Sequence, residues 1–221
     1  MFSNRKNIVF IILAGIFITN AVVAELIGGK LIQIGGFTLS IGILPWPIVF
    51  ITTDLINDYF GKSGVKKLTY LTSALIAYVF LLLFIGIKIP ATSFSPVSTE
   101  AFKIVFGQGE WIIIGSLVAF IISQLLDASI FSKFKKVTGD KHIWFRATGS
   151  TVISQLIDTF IVLGIAFYLP GKISFNEYIA LGFTGYFAKL IIAIGLTPII
   201  YLAHAWIKKY LNEGKKSSII P

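Results

Sequence analysis

An acid and an amide lie half-way along one of the apolar stretches of this chain. Gln155 and Asp158 fall within the run 150–169, and their i, i+3 spacing puts both side chains on one face if the run is helical. A carboxylate in the middle of a bilayer costs about 2.5–3.5 kcal/mol, so such a group is expected to face a counter-ion, water or a ligand. The pair therefore predicts a polar binding site inside a membrane-spanning helix.

Other apolar runs also contain polar side chains, and we expect them to converge on the same site. The further candidates are Asn20, Asp54, Gln124, Asp127 and Lys189. Asp54 and Lys189 lie deep in their runs and are the expected partners of Asp158. Even if Lys189 neutralises one acid, one net negative charge remains, which favours a neutral or cationic solute.

The side chains near these positions indicate which solute would fit. Trp46, Phe50 and Tyr186 stand beside the polar positions and offer ring faces on which a planar ring can stack. The Asp158 carboxylate can accept two parallel hydrogen bonds from a guanidine-like edge, and Gln155 can pair with the other edge. These residues predict a small, polar, heteroaromatic ligand.

Some acids in these runs have a competing structural interpretation. Glu25 falls near the end of its run and is equally well explained at the level of the lipid headgroups. Asp58 and Asp127 fall near the opposite membrane surface, where a structural role is expected, either ion pairs with Lys62 or Lys133 or the capping of loops.

The composition determines the class of protein. Of the 221 residues, 56% are hydrophobic and only 13% are charged, far outside the usual range of soluble proteins. We interpret the chain as an all-α polytopic membrane protein that forms a single domain, 1–221. With no cysteine and two distant histidines, the sequence predicts no disulfide, no thiolate nucleophile, no metal centre and no cofactor. The net charge of +9 is explained by cytoplasmic loops, without nucleic-acid binding.

Hydropathy predicts six membrane spans. Their approximate bounds are 8–27, 43–60, 68–89, 111–131, 148–169 and 178–207. With the N-terminus in the cytoplasm, the inner segments hold 14 of the 19 lysines and arginines, and the outer segments hold four. The sequence therefore predicts a multi-pass protein of the cell membrane with both termini inside.

The second span is irregular near its outer end. Pro45 and Pro47 delay a clean helix until about residue 47, and Gly35 and Gly36 precede it. Two interpretations are open: a re-entrant segment that lines a cavity, or an outer loop followed by a short tilted helix. The loop 90–109 either caps an outward-facing cavity or simply connects two spans.

A five-residue pattern, Ser-Gln-Leu-(Leu or Ile)-Asp, occurs twice. It covers 123–127 in the fourth span and 154–158 in the fifth span, two helices that are expected to be antiparallel neighbours. Because five residues are too few to establish an internal duplication, chance or shared helix-packing chemistry is the preferred explanation.

The order and spacing of many polar and small residues resemble those of a known family. The matching positions are Asn20, Lys30, Pro47, Asp54, Asn57, Asp58, Gly61, Gln124, Asp127, Phe131, Lys135, Gly139, Trp144, Arg146, Ser150, Thr151, Ser154, Gln155, Asp158, Thr159, Tyr186, Lys189, Thr197, Pro198 and Tyr201. Over nearly its whole length the chain is similar to the queuosine precursor transporter family, which is also known as a family of vitamin uptake transporters. It departs from the family pattern at Asp58, where the family usually has Glu, and at Phe60, where it usually has Tyr.

The resemblance implies a six-helix inner-membrane protein that imports 7-deazaguanine precursors of queuosine, a modified tRNA base, in the cyano form, the aminomethyl form or as queuine. It also implies an architecture similar to the substrate-binding subunits of energy-coupling-factor importers. The Asp158 carboxylate would then hold the amino edge of the base, with Gln155 one turn before it.

Three hypotheses follow for the activity. The first is a self-sufficient transporter. The second is a binding subunit for a small heteroaromatic solute that needs an ATPase module, and the sequence also leaves a homo-oligomer open. The third, a membrane-embedded enzyme built on Asp127 and Asp158, is disfavoured because the two acids are predicted at different depths. The sequence thus favours a transporter over an enzyme.

Overall fold

The computed structural model describes residues 4–35, 37–139 and 142–217, and most of this backbone is helical. The helices are α1 Arg5–Ile27, α2 Trp46–Lys88, α3 Thr99–Phe106, α4 Glu110–Thr138, α5 Ile143–Leu163, α6 Phe175–Gly195 and α7 Thr197–Ser217. A short 3-10 turn, Ile41–Ile43, precedes α2, and a π-helical turn, Gly164–Tyr168, extends α5.

Five helices of the described residues are long and apolar enough to cross a membrane. They fall within Arg5–Ile27, Ile41–Lys88, Thr99–Thr138, Ile143–Tyr168 and Phe175–Gly195. Large apolar side chains such as Ile12, Leu82 and Ile191 are exposed on them, so the outer surface of the bundle is as apolar as lipid requires. The prediction of a helical polytopic membrane protein is confirmed.

Helix α2 contains both the second and the third predicted spans. Its 43 residues would extend about 65 Å as a straight helix, about twice the thickness of a hydrocarbon core. Gly61 interrupts it with φ 73° and ψ 175°, a backbone conformation that is almost restricted to glycine. The chain therefore changes direction at Gly61, between an arm 46–60 and an arm 62–88.

Helices α4 and α5 pack closely and run antiparallel. A Cβ added at Gly115 of α4 would lie 3.3 Å from Cβ of Ile165, just beyond α5, and one added at Gly149 of α5 would meet the Phe134 ring of α4 at 2.8 Å. Residues near the start of α4 thus contact residues past the end of α5, and the reverse holds at the other end. Glycine at both contacts lets the two backbones approach, as is common between membrane helices.

The segment before α2 is a β-hairpin, which neither interpretation of the sequence included. Strand β1, Leu31–Ile34, pairs antiparallel with β2, Phe37–Ser40. Gly35 in the connection has φ 54°, the left-handed conformation that a tight hairpin turn needs. The sequence alternatives failed because they weighed the glycines and prolines and overlooked the β-branched and aromatic residues beside them.

Two further segments differ from the predicted spans. The loop 90–109 contains the short helix α3, whose first turn is capped by the Ser98 hydroxyl, which accepts from the Ala101 amide. The predicted span 178–207 is divided into α6 and α7 at Leu196. Pro198 explains this division because it has no amide hydrogen to continue the hydrogen-bond ladder of α6.

We expect Gly61→Ala to destabilise the protein by about 1–3 kcal/mol, since an alanine Cβ is strained at this positive φ even though the surrounding space is open. The matched control is Gly15→Ala in α1, where the space is also open but the backbone is helical. Alanine there should be neutral or stabilising by up to about 1 kcal/mol. The midpoint of thermal unfolding in detergent measures both, and equal shifts would contradict the role given to Gly61.

Candidate functional site

Asp58 is the most heavily paired acid of the described residues, and it lies just before the break at Gly61. Its Oδ1 is 2.8 Å from Nη2 of Arg146 and 2.8 Å from Nζ of Lys135, and its Oδ2 is 3.3 Å from Nδ1 of His204. The Arg146 side chain is only 1% exposed and that of Asp58 6%. One carboxylate therefore links α2, α4, α5 and α7.

The sequence predicted a structural ion pair for Asp58 but named the wrong partners. The cations are Lys135 and Arg146, whereas Lys62 and Lys133 were expected. Two residues turn an α-helix by about 200°, so Lys133 is on the face of α4 opposite to Lys135. A clue was available at Arg146: it is one of only two arginines in the chain, and arginine suits buried ion pairs better than lysine.

The two Ser-Gln-Leu-X-Asp motifs bond to each other reciprocally. The Ser123 hydroxyl of α4 donates to Oδ1 of Asp158 at 3.1 Å, and the Ser154 hydroxyl of α5 donates to Oδ1 of Asp127 at 2.9 Å. Each serine thus satisfies the acid of the opposite motif across the antiparallel interface. The repeated pattern has a physical explanation in this pairing, and the prediction of antiparallel neighbours is confirmed.

Asp158 also forms the ion pair that the sequence predicted with Lys189. Lys189 Nζ is 2.8 Å from Oδ2 of Asp158, and it donates to the Thr159 hydroxyl at 3.3 Å. The side chains of Asp158 and Lys189 are 17% and 27% exposed, so this pair is more open than the one at Asp58. Both carboxylate oxygens of Asp158 have partners, since Ser123 bonds the other one.

Asp54 differs from these acids because its Oδ1 is buried without a hydrogen-bond partner among the described residues. The residue is 2% exposed and lines a small cavity that Phe50 also borders. The other walls come from the α5 residues Ala147, Thr148 and Thr151, from Ile51 of α2, and from Ala193, Leu196 and Ile200 around the junction of α6 and α7. The sequence also predicted Asp54 as a partner of Asp158. The two Asp158 oxygens instead accept hydrogen bonds from Ser123 and Lys189.

The two glutamines predicted at the site also differ in whether the amide oxygen has a hydrogen-bond partner. Oε1 of Gln124 accepts from the Thr53 hydroxyl at 3.0 Å. Oε1 of Gln155 is buried and has no partner in the described part of the chain. Gln155 lies one turn after Thr151, which lines the cavity beside Asp54. The amide and the Asp54 carboxylate are therefore the polar side chains of this region that remain open to a further partner.

The predicted aromatic residues are divided between the cavity and its surroundings. Phe50 borders the cavity, and the Trp46 ring stacks on it with centroids 6.1 Å apart and planes 17° apart. Tyr186 is buried on α6, with its ring 5.7 Å from that of Phe187. Asn20 donates to the carbonyl oxygen of Ile16 in its own helix.

Glu25 is buried between helices rather than exposed on the outer surface of the bundle. It is 7% exposed, and the Ser116 hydroxyl donates to its Oε2 at 2.7 Å. Gln108 donates to the Glu25 carbonyl oxygen at 2.7 Å. This acid therefore holds α1 against α4 and is separate from the cavity-lining residues.

Apolar outer faces around a set of buried acids, amides and cations define a multi-pass membrane protein with a polar interior. The chain belongs to the family described as "Putative vitamin uptake transporter", whose profile matches residues 40–203. The matched segment contains every polar side chain of the site described above except Asn20, Glu25 and His204.

Three curated relatives carry consistent names. The "Probable queuosine precursor transporter" of Bacillus subtilis (strain 168) is 30% identical over 191 residues, which cover 86% of this chain and 80% of the relative. The protein of the same name from Haemophilus influenzae is 30% identical over 69% of this chain and 63% of its own length. The "Queuosine precursor transporter" of Escherichia coli (strain K12) is 25% identical over 74% of this chain and 71% of its own length. No solved structure gives a significant match.

The resemblance found in the sequence is thereby confirmed, as is the prediction of a transporter rather than an enzyme. The location in the cell membrane as a multi-pass protein is confirmed as well.

We expect Asp58→Asn to lower the free energy of unfolding by about 3–5 kcal/mol, because it leaves the buried Arg146 guanidinium without its counter-charge. Asp158→Asn makes the same chemical change in a pair that is more exposed, and its effect should be clearly smaller. Thermal unfolding of the purified full chain compares the two variants. A larger loss at Asp158 would show that the Asp58 group is not the main structural pair.

Proposed function

We propose that this protein imports 7-deazaguanine precursors of queuosine into the cytoplasm. Membership of the transporter family and the names of the relatives support the general activity. The observation that carries the proposal is the cavity itself. It places an unpaired carboxylate oxygen of Asp54 beside the aromatic ring of Phe50, between helices of the family-matched segment. A carboxylate for N–H groups and a ring for stacking suit a purine-like base.

The proposed binding residues are those that surround this cavity and its polar neighbours. Phe50 and Asp54 come from α2, Gln155 and Asp158 from α5, and Lys189 from α6. The predicted residues Asn20, Trp46, Gln124, Asp127 and Tyr186 complete the proposed set as its supporting layer. Trp46 holds the Phe50 ring, and the Thr53 bond orients the Gln124 amide.

We further propose that the chain crosses the membrane six times with both termini in the cytoplasm. The break at Gly61 supports two separate crossings in α2, since a glycine-only conformation lets the two arms run in different directions. The excess of lysine and arginine in the segments assigned to the inside supports the orientation.

Topology can be tested with single cysteines because the natural chain has none. Lys62→Cys, beside the Gly61 break, should react with a membrane-impermeant maleimide only from the cytoplasmic side. Lys103→Cys, in α3, should react only from the outside. Labelling of both cysteines from the same side would contradict six crossings.

We also propose that the chain transports without partner subunits. Purified wild-type protein reconstituted alone in proteoliposomes should take up radiolabelled 7-deazaguanine precursor. Asp158→Asn should abolish this uptake while the protein still inserts, because the change removes the negative charge that Lys189 faces. Empty liposomes are the control. Uptake at the wild-type rate by the variant would remove Asp158 from the mechanism, and uptake only when an ATPase module is added would exclude a self-sufficient transporter.

A further inference from the structure

Five acids of the described residues lie in the interior. Four of them have hydrogen-bond or ion-pair donors, and the fifth has a buried carboxylate oxygen without a donor. The paired acids are Glu25 with Ser116, Asp58 with Arg146 and Lys135, Asp127 with Ser154, and Asp158 with Lys189 and Ser123. Asp54 is the exception, with Oδ1 buried and unpaired among the described residues. A buried carboxylate oxygen without a donor is unfavourable, so a donor from outside the chain is expected at this position.

The surroundings of Asp54 indicate the chemistry of that donor. Phe50, one turn before Asp54 on α2, supplies an aromatic face at the cavity, and Thr148 and Thr151 of α5 supply hydroxyl groups. Gln155 contributes the second unpaired oxygen of this region. Two unpaired acceptors beside a ring suit a planar molecule that carries N–H donors along one edge.

We propose that Asp54, rather than Asp158, is the residue that determines specificity. Its carboxylate accepts one hydrogen bond from N1–H and one from the 2-amino group of a 2-amino-6-oxo-purine edge, in purine numbering. This inference rests on the proposed function and names the recognition element within it. Asp158 does not serve this role because both of its oxygens already have partners, Lys189 and Ser123. It instead fixes Lys189 and the face of α6 next to the cavity.

The cavity must widen for this pairing to occur. Its volume is about 10 Å³, which is room for about one water molecule and far less than a purine-like base requires. One of its walls is formed by Ala193, Leu196 and Ile200, on either side of the division between α6 and α7. This wall is interrupted at Leu196 and Pro198, where the backbone hydrogen-bond ladder is incomplete, so the wall can bend at this point.

The test replaces the two acceptor oxygens of residue 54 with one acceptor and one donor, and it measures which base the protein prefers. Equilibrium binding of 7-deazaguanine, 7-deazahypoxanthine and 7-deazaxanthine is measured with the purified full chain. The wild type should favour 7-deazaguanine over 7-deazaxanthine by at least about 100-fold. The reason is that a lone pair of the 2-oxo group of 7-deazaxanthine would be repelled by the carboxylate. The analogue without a 2-amino group should be intermediate, since it leaves one carboxylate oxygen unpaired.

Asp54→Asn should reverse this order. An asparagine offers one acceptor for N1–H and one donor for the 2-oxo group, so 7-deazaxanthine becomes the better ligand. Glu25→Gln is the matched control: it makes the same change from acid to amide at a buried acid that does not line the cavity, and it should keep the wild-type order. A reversal in Asp158→Asn, or an unchanged order in Asp54→Asn, would overturn the assignment of Asp54.

The outcomes separate this inference from the proposed function. If the wild type binds none of the three bases and also none of the cyano precursor, the aminomethyl precursor and queuine, the proposed function fails and the inference with it. If the wild type prefers 7-deazaguanine but Asp54→Asn has the same preference, only the role of Asp54 is lost.

A second measurement covers the case in which Asp54→Asn does not fold. In the cysteine-free chain, a single Thr148→Cys reports on the cavity wall, and Ile104→Cys on the exposed face of α3 is its control. 7-Deazaguanine should slow thiol labelling at position 148 and leave position 104 unchanged. Equal labelling rates at position 148 with and without the base would overturn a site at Asp54.

Discussion

The buried ion pair between Asp58 and Arg146 is the interaction on which the arrangement of the bundle depends. An arginine that is 1% exposed cannot lose its charge, so it must lie against an acid. Asp58 meets this need and also lies 2.8 Å from Nζ of Lys135 and 3.3 Å from Nδ1 of His204, so four helices converge at one point. Arg146 further donates to the carbonyl oxygen of Gly139, in the connection that leaves α4. The Gly61 break follows Asp58 by three residues, so this group of side chains lies next to the point where α2 changes direction.

The reciprocal serine–aspartate bonds serve a different purpose, which is the register of α4 against α5. Interhelical hydrogen bonds in a membrane contribute about 0.6–2 kcal/mol each, so two of them do not dominate stability. However, both hydrogen bonds can form only when Ser123 faces Asp158 and Ser154 faces Asp127. A shift of the two helices by one turn would leave both acids without these donors. This pairing connects the packing of α4 and α5 to the position of Asp158, and through Lys189 to α6.

The interior is consequently asymmetric in its hydrogen bonding. Asp158 and Lys189 neutralise each other and hold α6. Oδ1 of Asp54 and Oε1 of Gln155, in contrast, are buried without partners among the described residues. Polar groups that a protein leaves unpaired inside are characteristic of ligand sites, because the ligand supplies the missing partner. The small cavity beside Asp54 is bordered by α2, by α5 and by the junction of α6 and α7.

The amino-acid sequence by itself determined the helical membrane class, the family and most of the acids and amides in the interior. These follow from local properties, namely the hydropathy of each run and the presence of an acid within it. It also identified the Asp158–Lys189 pair, because only one lysine lay deep in an apolar run. Which acid stays unpaired, that Arg146 is buried against Asp58, and that the segment before α2 is a hairpin were decided only by the tertiary structure. The physical reason is that hydrogen-bond partners depend on how each helix is rotated and shifted against its neighbours, and the spacing along one chain segment does not contain that information.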